Sequence, residues 1–364
     1  MGVPKKGVVN KLASYCTGRE DRLSLLALAS KGESGKHLWK MFLESQHIGV
    51  GELIYLFPSC KPTMQQLIEV LIPMPPRYYS IASSPLVHPQ SVSIAFSVVR
   101  YTCSIAPIVS SATSTEPALP IILRSGLCTS YLEELVSPIL SLGDAAQPTD
   151  FMKLPPVRLF HKSTISFHLP GSVGHPLILV GPGTGVAPFV GFLEHRCQLE
   201  RERVAVVGDE DMCCGVWRGG FELEENDLPS ESNQVGEFIK SVCPGPIYLF
   251  YGCRGDADYL FREELTQYQK NGTLSVLDVA KSRVGPEKVY VTHKLLARGA
   301  TIAQLLIKET AHLYICGDGN HMARDVGAAV RDILIEHGGL TPTQADEMIV
   351  DMKQRRRYVL DIWS

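Results

Sequence analysis

A short apolar run, PLILV (176–180), passes directly into GPGTGVAP (181–188) and then into VAPFVGFLEHRCQLERER at helical spacing. Few other features restrict the fold of a chain so tightly. A buried strand that ends in glycine and reopens as a helix has one common home, the carboxyl edge of a parallel sheet. Glycine lets the backbone approach a ligand closely, and the first turn of the helix presents free N–H groups to an anion. The segment therefore reads as a pyrophosphate cradle, although the same turn also serves as a tight strand–helix connection without a ligand. It is not the GxGxxG fingerprint, so the ordinary dinucleotide fold is not indicated.

The pattern repeats downstream. IYLFYGCR (247–254) is a second short buried strand, followed by the helix YLFREELTQYQK. LSVLDVA (274–280) is a third strand. AHLYICGDG (311–319) is a fourth, followed by NHMARDVGAAVRDILIEHG. Strands alternating with helices predict a parallel, doubly wound sheet over 173–364. Between the first helix and second strand, 204–246 is acidic and Gly-rich and reads as a flexible insert.

Upstream the periods differ. Residues 1–72, with LASYCTGREDRLSLLALAS and LWKMFLESQHIGVGELIYLF, carry apolar residues at i, i+3, i+4 and read as a helical lobe. From Arg77, RYYSIASS and SVSIAFSVVRY are β-branched and aromatic, and VRLFHKSTISFHLP (157–170) reads as one or two further strands. With the Ser/Thr/Pro loop 104–120 between them, these suggest a small antiparallel barrel over 73–172. At 364 residues, 45% apolar and 20% charged, the chain is long and apolar enough for about two packed domains.

Composition also excludes several functions. A net charge of −3 gives no basic excess for nucleic acid or an anionic membrane. The N-terminus MGVPKKGVVNKL has no apolar signal region, and no run reads as a membrane span, so the chain is expected to be soluble and cytoplasmic. The ten cysteines have no CxxC spacing, and Cys213 and Cys214 are adjacent. No metal site is expected, and the thiols read as reduced core residues.

Other candidate residues sit near strand ends. Arg254 follows the second strand. Ser282, Arg283, Lys288 and Tyr290 follow the third. Two cations, a hydroxyl and an aromatic there suit a ribose 2′-phosphate and would select NADPH over NADH, the alternative being a solvated basic loop. Cys316 and Asp318 end the fourth strand where a nicotinamide would lie, although a lone Cys at a strand end is more often a packed thiol than a reactive one. In RYYSIASS, Arg77, Tyr78, Tyr79 and Ser80 offer a cation for a diphosphate, aromatic faces for a flat ring and a donor, or simply a core aromatic pair.

Taken in order, RYYSIASSPLVHP, GLCT, SFHLP, GPGTGVAPFVGFLEHR, YGCR, DYLFREEL, KVYV, YICGD, MARDV and RYVLDIWS resemble the diflavin reductases, a ferredoxin–NADP reductase-like family, over nearly the whole chain. The resemblance implies FAD and NADPH as cofactors, an FAD-binding barrel and hydride transfer from NADPH to FAD. It implies Arg77 on the diphosphate, Tyr79 against the isoalloxazine, Ser80 at its reactive edge, and Tyr101 near the adenine. Backbone amides of Gly126, Leu127, Cys128 and Thr129 would meet the diphosphate. Gly183, Thr184 and Gly185 would hold the NADPH pyrophosphate. Arg254, Ser282, Arg283, Lys288 and Tyr290 would hold its phosphate and adenosine. Ser80, Cys316 and Asp361 resemble the set that assists hydride transfer, and Trp363 the aromatic that stacks on the flavin.

The family also has a flavodoxin-like FMN domain, a hinge and first barrel strands ahead of the matching region. The chain is therefore expected to be a fragment with an incomplete barrel, and FMN to belong to the missing domain. The opening VPKK, FPSCKP (57–62), the Cys of GLCT, SFHLP and the DIWS ending are most like the methionine synthase reductase branch. That branch implies cobalamin-dependent methionine synthase as partner. The haemoprotein-reducing branch, and a truncated product that binds NADPH without flavin, are the competing expectations. One departure is Ser130-Tyr131, where the family has Trp.

Overall fold

The computed structural model describes residues 2–104, 121–143, 153–207, 244–319 and 321–363. Most of the loop read over 104–120 and of the insert read over 204–246 lies outside them. Where the insert is described, its first residues continue the helix Ala187–Val207. The chain forms two compact units, one of residues 1–78 with 97–158, the other of 79–96 with 159–364.

In the first unit, helices Lys6–Ala13, Arg19–Ala29, Glu33–Leu38, Val50–Leu56 and Met64–Val70 flank a π-helical turn at Trp39–Glu44. Helical spacing puts Val9 with Leu12 and Leu25 with Leu28 on inward stripes. These pack with Phe42, Leu43, Leu53 and Phe57 into one buried core. The same unit carries strands β1 (Arg100–Ser104) and β2 (Ile121–Ser125), paired antiparallel with Arg100 opposite Ser125. Helix Leu127–Leu140 follows β2 directly.

The barrel reading is realised only in part among the described residues. RYYSIASS and SVSIAFSVVRY meet at a single bridge, Ile81 opposite Ile94, and VRLFHKSTISFHLP is irregular, with bends at 165, 166 and 168 and no ladder. Pro73, Pro75 and Pro76, and Pro155 and Pro156, remove amides a ladder would use. The apolar residues that gave a strand-like pattern, Leu159 and Ile165, are each 80% exposed. Their side chains have no core to face, so alternation alone does not make a strand.

In the second unit, β3 (Leu177–Pro182), β4 (Ile247–Cys253), β5 (Val276–Lys281), β6 (His312–Asp318) and β7 (Tyr358–Trp363) form one parallel sheet in the order β5-β4-β3-β6-β7. Alternate residues feed two cores. Ile178, Val180, Leu313 and Ile315 face Val326, Val330 and Ile333. Leu177, Leu179, Leu249 and Tyr314 face Phe189, Leu193 and Leu265. Two covered faces make the sheet doubly wound, as the alternation of strands and helices predicts.

The fifth strand, β7, is not apparent in the sequence. Only Tyr358 and Val359 are buried along it, because it lies at the sheet edge, and RRR before it reads as a solvated tail. Among the described residues no helix is long and apolar enough to cross a membrane.

Candidate functional site

Strand order locates a crevice. From β3 the chain winds outward through β4 and β5, then returns to place β6 on the other side of β3. Ligands of open α/β sheets lie outside the carboxyl ends of the strands at such a reversal. Here those ends are Gly181-Pro182-Gly183 on β3 and Cys316-Gly317-Asp318 on β6. The turn Gly183–Val186 leads straight into helix Ala187–Val207. Gly183 has φ of +58°, with open space where a Cβ would stand. A Cβ at Gly185 would lie 2.1 Å from the Cys316 carbonyl oxygen. The absent side chains are what let β3, the turn and β6 close together, a cradle that fits a pyrophosphate.

β7 completes the crevice. It pairs with β6 so that Cys316 stands opposite Asp361 and Asp318 opposite Trp363. The Ser80 hydroxyl donates to Asp361 Oδ2 at 2.7 Å, and the Cys316 thiol lies 3.7 Å from the same oxygen. Burial, and then the Asp361 carboxylate, push the Cys316 thiol well above its ordinary range, so it stays protonated. Strand alternation puts Trp363 on the same face of β7 as Asp361, with its side chain partly exposed. A hydroxyl and a thiol from segments far apart in sequence thus share one carboxylate.

The loop that carries Ser80 is clamped by helix Ala187–Val207. The Ser84 amide donates to Glu194 Oε2 at 2.5 Å, and the Ser84 hydroxyl lies 2.9 Å from His195 Nδ1. His88 Nε2 lies 3.0 Å from Glu194 Oε1. Burial lowers the His195 pKa, which favours the neutral ring in this contact. Gly191 permits the close approach: a Cβ there would stand 3.2 Å from the Ala82 carbonyl carbon and the Ser83 amide. Tyr79 packs edge-on against Phe96 at 6.0 Å. Glu194, His195, Gly191 and Phe96 escape a reading of the sequence, since GFLEHR shows only helical periodicity. Gly191→Leu is expected to displace residues 82–84 and lower flavin content at least tenfold while NADPH affinity changes little. Absorbance of the purified variant and a coenzyme titration check this, and parallel loss of both would point to general unfolding.

At the outer strands, backbone pairing brings Arg254 beside Ser282 and Arg283: the Ser282 amide donates to Cys253 O and the Arg283 amide to Arg254 O, both at 2.9 Å. Arg283, Lys288 and Tyr290 are exposed. Arg254 is held by Asp258 through two bonds of 3.0 and 2.8 Å, and Lys281 and Arg262 converge on Asp256 at 2.9 and 3.0 Å. Exposed pairs of this kind are weak, so an incoming phosphate can compete for the guanidinium.

In the first unit, Arg77 donates to the Pro75 carbonyl and Tyr78 is exposed. Tyr101 packs on His47 at 4.7 Å between ring centres. Gly126 caps helix Leu127–Leu140, so the amides of Leu127, Cys128 and Thr129 sit in its first turn. The Gly126 amide donates to Val99 O at 2.8 Å, and a Cβ there would stand 2.7 Å from Thr129 Oγ1. Among the described residues the buried Ser130 hydroxyl has no hydrogen-bond partner. A glycine-capped helix start with an unsatisfied donor beside it fits an anionic group such as a flavin diphosphate.

Two family models match the chain. The FAD binding domain family matches residues 1–115, and the oxidoreductase NAD-binding domain family matches 179–327. The chain is 34% identical over 372 residues to the methionine synthase reductase of Rattus norvegicus and 33% identical over 371 residues to that of Homo sapiens. Each match covers 100% of this chain and 46% of the relative. It is also 33% identical over 362 residues to the NADPH–cytochrome P-450 reductase of Cavia porcellus, covering 99% of this chain and 44% of that one. The chain thus spans about half the length of the curated relatives it matches.

Proposed function

Because the chain belongs to the diflavin reductase family, we propose that it is the FAD- and NADPH-binding half of a reductase that draws electrons from NADPH for a protein acceptor. The observation that carries the reading is the convergence of Ser80, Cys316 and Asp361 at the carboxyl edge of the sheet, beside a glycine turn suited to pyrophosphate.

Bound FAD supplies a ring that accepts a hydride and releases electrons singly. Arg77, Tyr78, Tyr79, Ser80, Tyr101 and the amides of Gly126, Leu127, Cys128 and Thr129 are the residues that would hold it. Gly183, Thr184 and Gly185 receive the NADPH pyrophosphate. Arg254, Ser282, Arg283, Lys288 and Tyr290 take the adenosine 2′-phosphate, and Asp318 borders the nicotinamide. Asp361 contributes a fixed negative charge that favours the positive charge developing on nicotinamide as its hydride departs. Ser80 orients that carboxylate by donating to it, and Cys316 remains a neutral thiol beside it.

Trp363 would cover the flavin ring and would have to yield to nicotinamide in each cycle. Trp363→Ala is expected to relax the preference for NADPH over NADH at least tenfold, read from kcat/KM for the two coenzymes. An unchanged ratio and unchanged coenzyme affinity would remove the lid role.

Anaerobic mixing of the purified chain with FAD and NADPH tests the central step. The flavin absorbance, near about 450 nm as a property of the cofactor, is expected to bleach. A chain that binds NADPH but leaves flavin oxidised would instead be a coenzyme-binding fragment without hydride transfer.

For the acceptor, we infer electron transfer through an FMN domain to cobalamin-dependent methionine synthase, on the likeness of FPSCKP, GLCT, SFHLP and DIWS to that branch. The nearly equal identity to NADPH–cytochrome P-450 reductase supports a haemoprotein as the second reading. Joining the chain to an FMN domain and comparing reactivation of methionine synthase with reduction of a haem-thiolate protein separates the two.

A further inference from the structure

The helical unit holds two cysteines that the proposed reaction does not use. Cys16 follows helix Lys6–Ala13, and Cys60 follows helix Val50–Leu56. They face one another across an isolated antiparallel bridge. The neighbouring amides define its type. Thr17 N–H donates to Ser59 O at 3.0 Å, and Lys61 N–H donates to Tyr15 O at 3.3 Å. Those bonds flank the cysteines, so the pair is a non-hydrogen-bonded one, in which Cα atoms stand about 4.5 Å apart and side chains are closest. Disulfides accept Cα separations of roughly 4.4–6.8 Å.

The side chains agree with the backbone. Both thiols donate to the same acceptor, Leu12 O, from 3.7 Å for Cys16 and 3.4 Å for Cys60. Two sulfurs sharing one carbonyl lie on one side of the bridge. The Asp21 carboxylate accepts from the Ser59 amide at 2.9 Å and holds the second segment in register. Both cysteines are free thiols in this structure.

We propose that Cys16 and Cys60 are a reversible disulfide site, closed by a hydroperoxide. The Cys16 sulfur attacks the outer peroxide oxygen, which breaks the O–O bond and leaves a sulfenic acid and one molecule of water or alcohol. The Cys60 sulfur then attacks the Cys16 sulfur and expels a second water. The two thiol hydrogens leave in those products, and the two electrons that the sulfurs lose reduce the peroxide. The order follows access. Cys16 is partly exposed, whereas Cys60 is 2% exposed within the core. Burial first, and the adjacent Cys16 second, push the Cys60 thiol up to about 12, which shields it from oxidants in solution.

The cross-link would tie the end of the first helix to the segment after Val50–Leu56, across the core that contains Leu12, Leu53 and Cys60. Closing so long a loop limits the unfolded chain more than the folded one. The oxidised protein is therefore expected to melt at a higher temperature, with dithiothreitol reversing the shift.

Mapping of thiols in the full chain tests the site. After limiting hydrogen peroxide, denaturation, alkylation and digestion, the peptides containing Cys16 and Cys60 should appear joined, lighter by two hydrogens. Dithiothreitol should restore alkylation of both together. In Cys60→Ser, dimedone should trap the sulfenic acid on Cys16. Full alkylation of both cysteines after oxidation of other thiols, or Cys16 recovered as sulfinic acid with Cys60 free, would overturn the proposal. The wild-type map decides the matter even where the variant fails to fold.

Discussion

Exchanging Asp361 for Asn is expected to slow flavin reduction by NADPH about a hundredfold, close to 2.7 kcal/mol of barrier. Asn keeps the shape and can still accept from the Ser80 hydroxyl, which donates to Asp361 at 2.7 Å. What is lost is the charge. A carboxylate fixed beside a departing hydride is stronger in the transition state than in the ground state, so its removal should fall on the rate and spare coenzyme affinity. Anaerobic stopped-flow with saturating NADPH separates the two. Asp361 lies on an edge strand, and the substitution should leave the fold intact. Ser80→Ala removes only an orienting donor and should cost less, about tenfold. A rate within about threefold of wild type for Asp361→Asn would take the carboxylate out of the chemistry.

Gly185→Ala should be the more damaging change for binding. The added Cβ would meet the Cys316 carbonyl oxygen at 2.1 Å and its carbon at 2.8 Å. Both are main-chain atoms of a buried strand, so no side chain can rotate away. Overpacking of this kind costs roughly 1–3 kcal/mol, sometimes more. The strain falls between the cradle and β6, and NADPH affinity is expected to drop more than tenfold with a lowered melting temperature. Gly183→Ala supplies the contrast. Its φ of +58° disfavours a side chain, but nothing stands within 4 Å of the new Cβ. Only the left-handed conformation is penalised, by about 1–2 kcal/mol. Isothermal titration should rank Gly185→Ala well below Gly183→Ala. Equal losses would show that the cradle is open rather than closed by β6.

What could be read from the sequence was local. PLILV-GPGTG signals its strand, turn and helix within a dozen residues, because glycine and apolar runs act over short range. Four strands of the parallel sheet follow the same logic. β7 did not, because an edge strand buries little and leaves only Tyr358 and Val359 as a core signal. The clamp of Glu194 and His195 on the Ser84 loop was equally silent, since a polar pair on an amphipathic helix looks like a solvated face until the loop is seen against it. VRLFHKSTISFHLP is the converse: its pattern is strand-like, but no partner ladder is present among the described residues. The pairing of Cys16 with Cys60 depends on register between two distant segments, which no spacing rule supplies.

The hydrogen bond from Ser80 to Asp361 joins residues 281 positions apart. During synthesis, Asp361 emerges after every other strand of its sheet. A nascent chain that has reached β6 carries β3, β4, β5 and the glycine turn, yet it lacks the carboxylate. On the proposed reading, the coenzyme cradle needs only strands that precede Asp361 in the chain, whereas hydride transfer waits for β7. On the proposed reading, a chain cut between β6 and β7 is expected to take up NADPH and to reduce flavin at least as slowly as Asp361→Asn does.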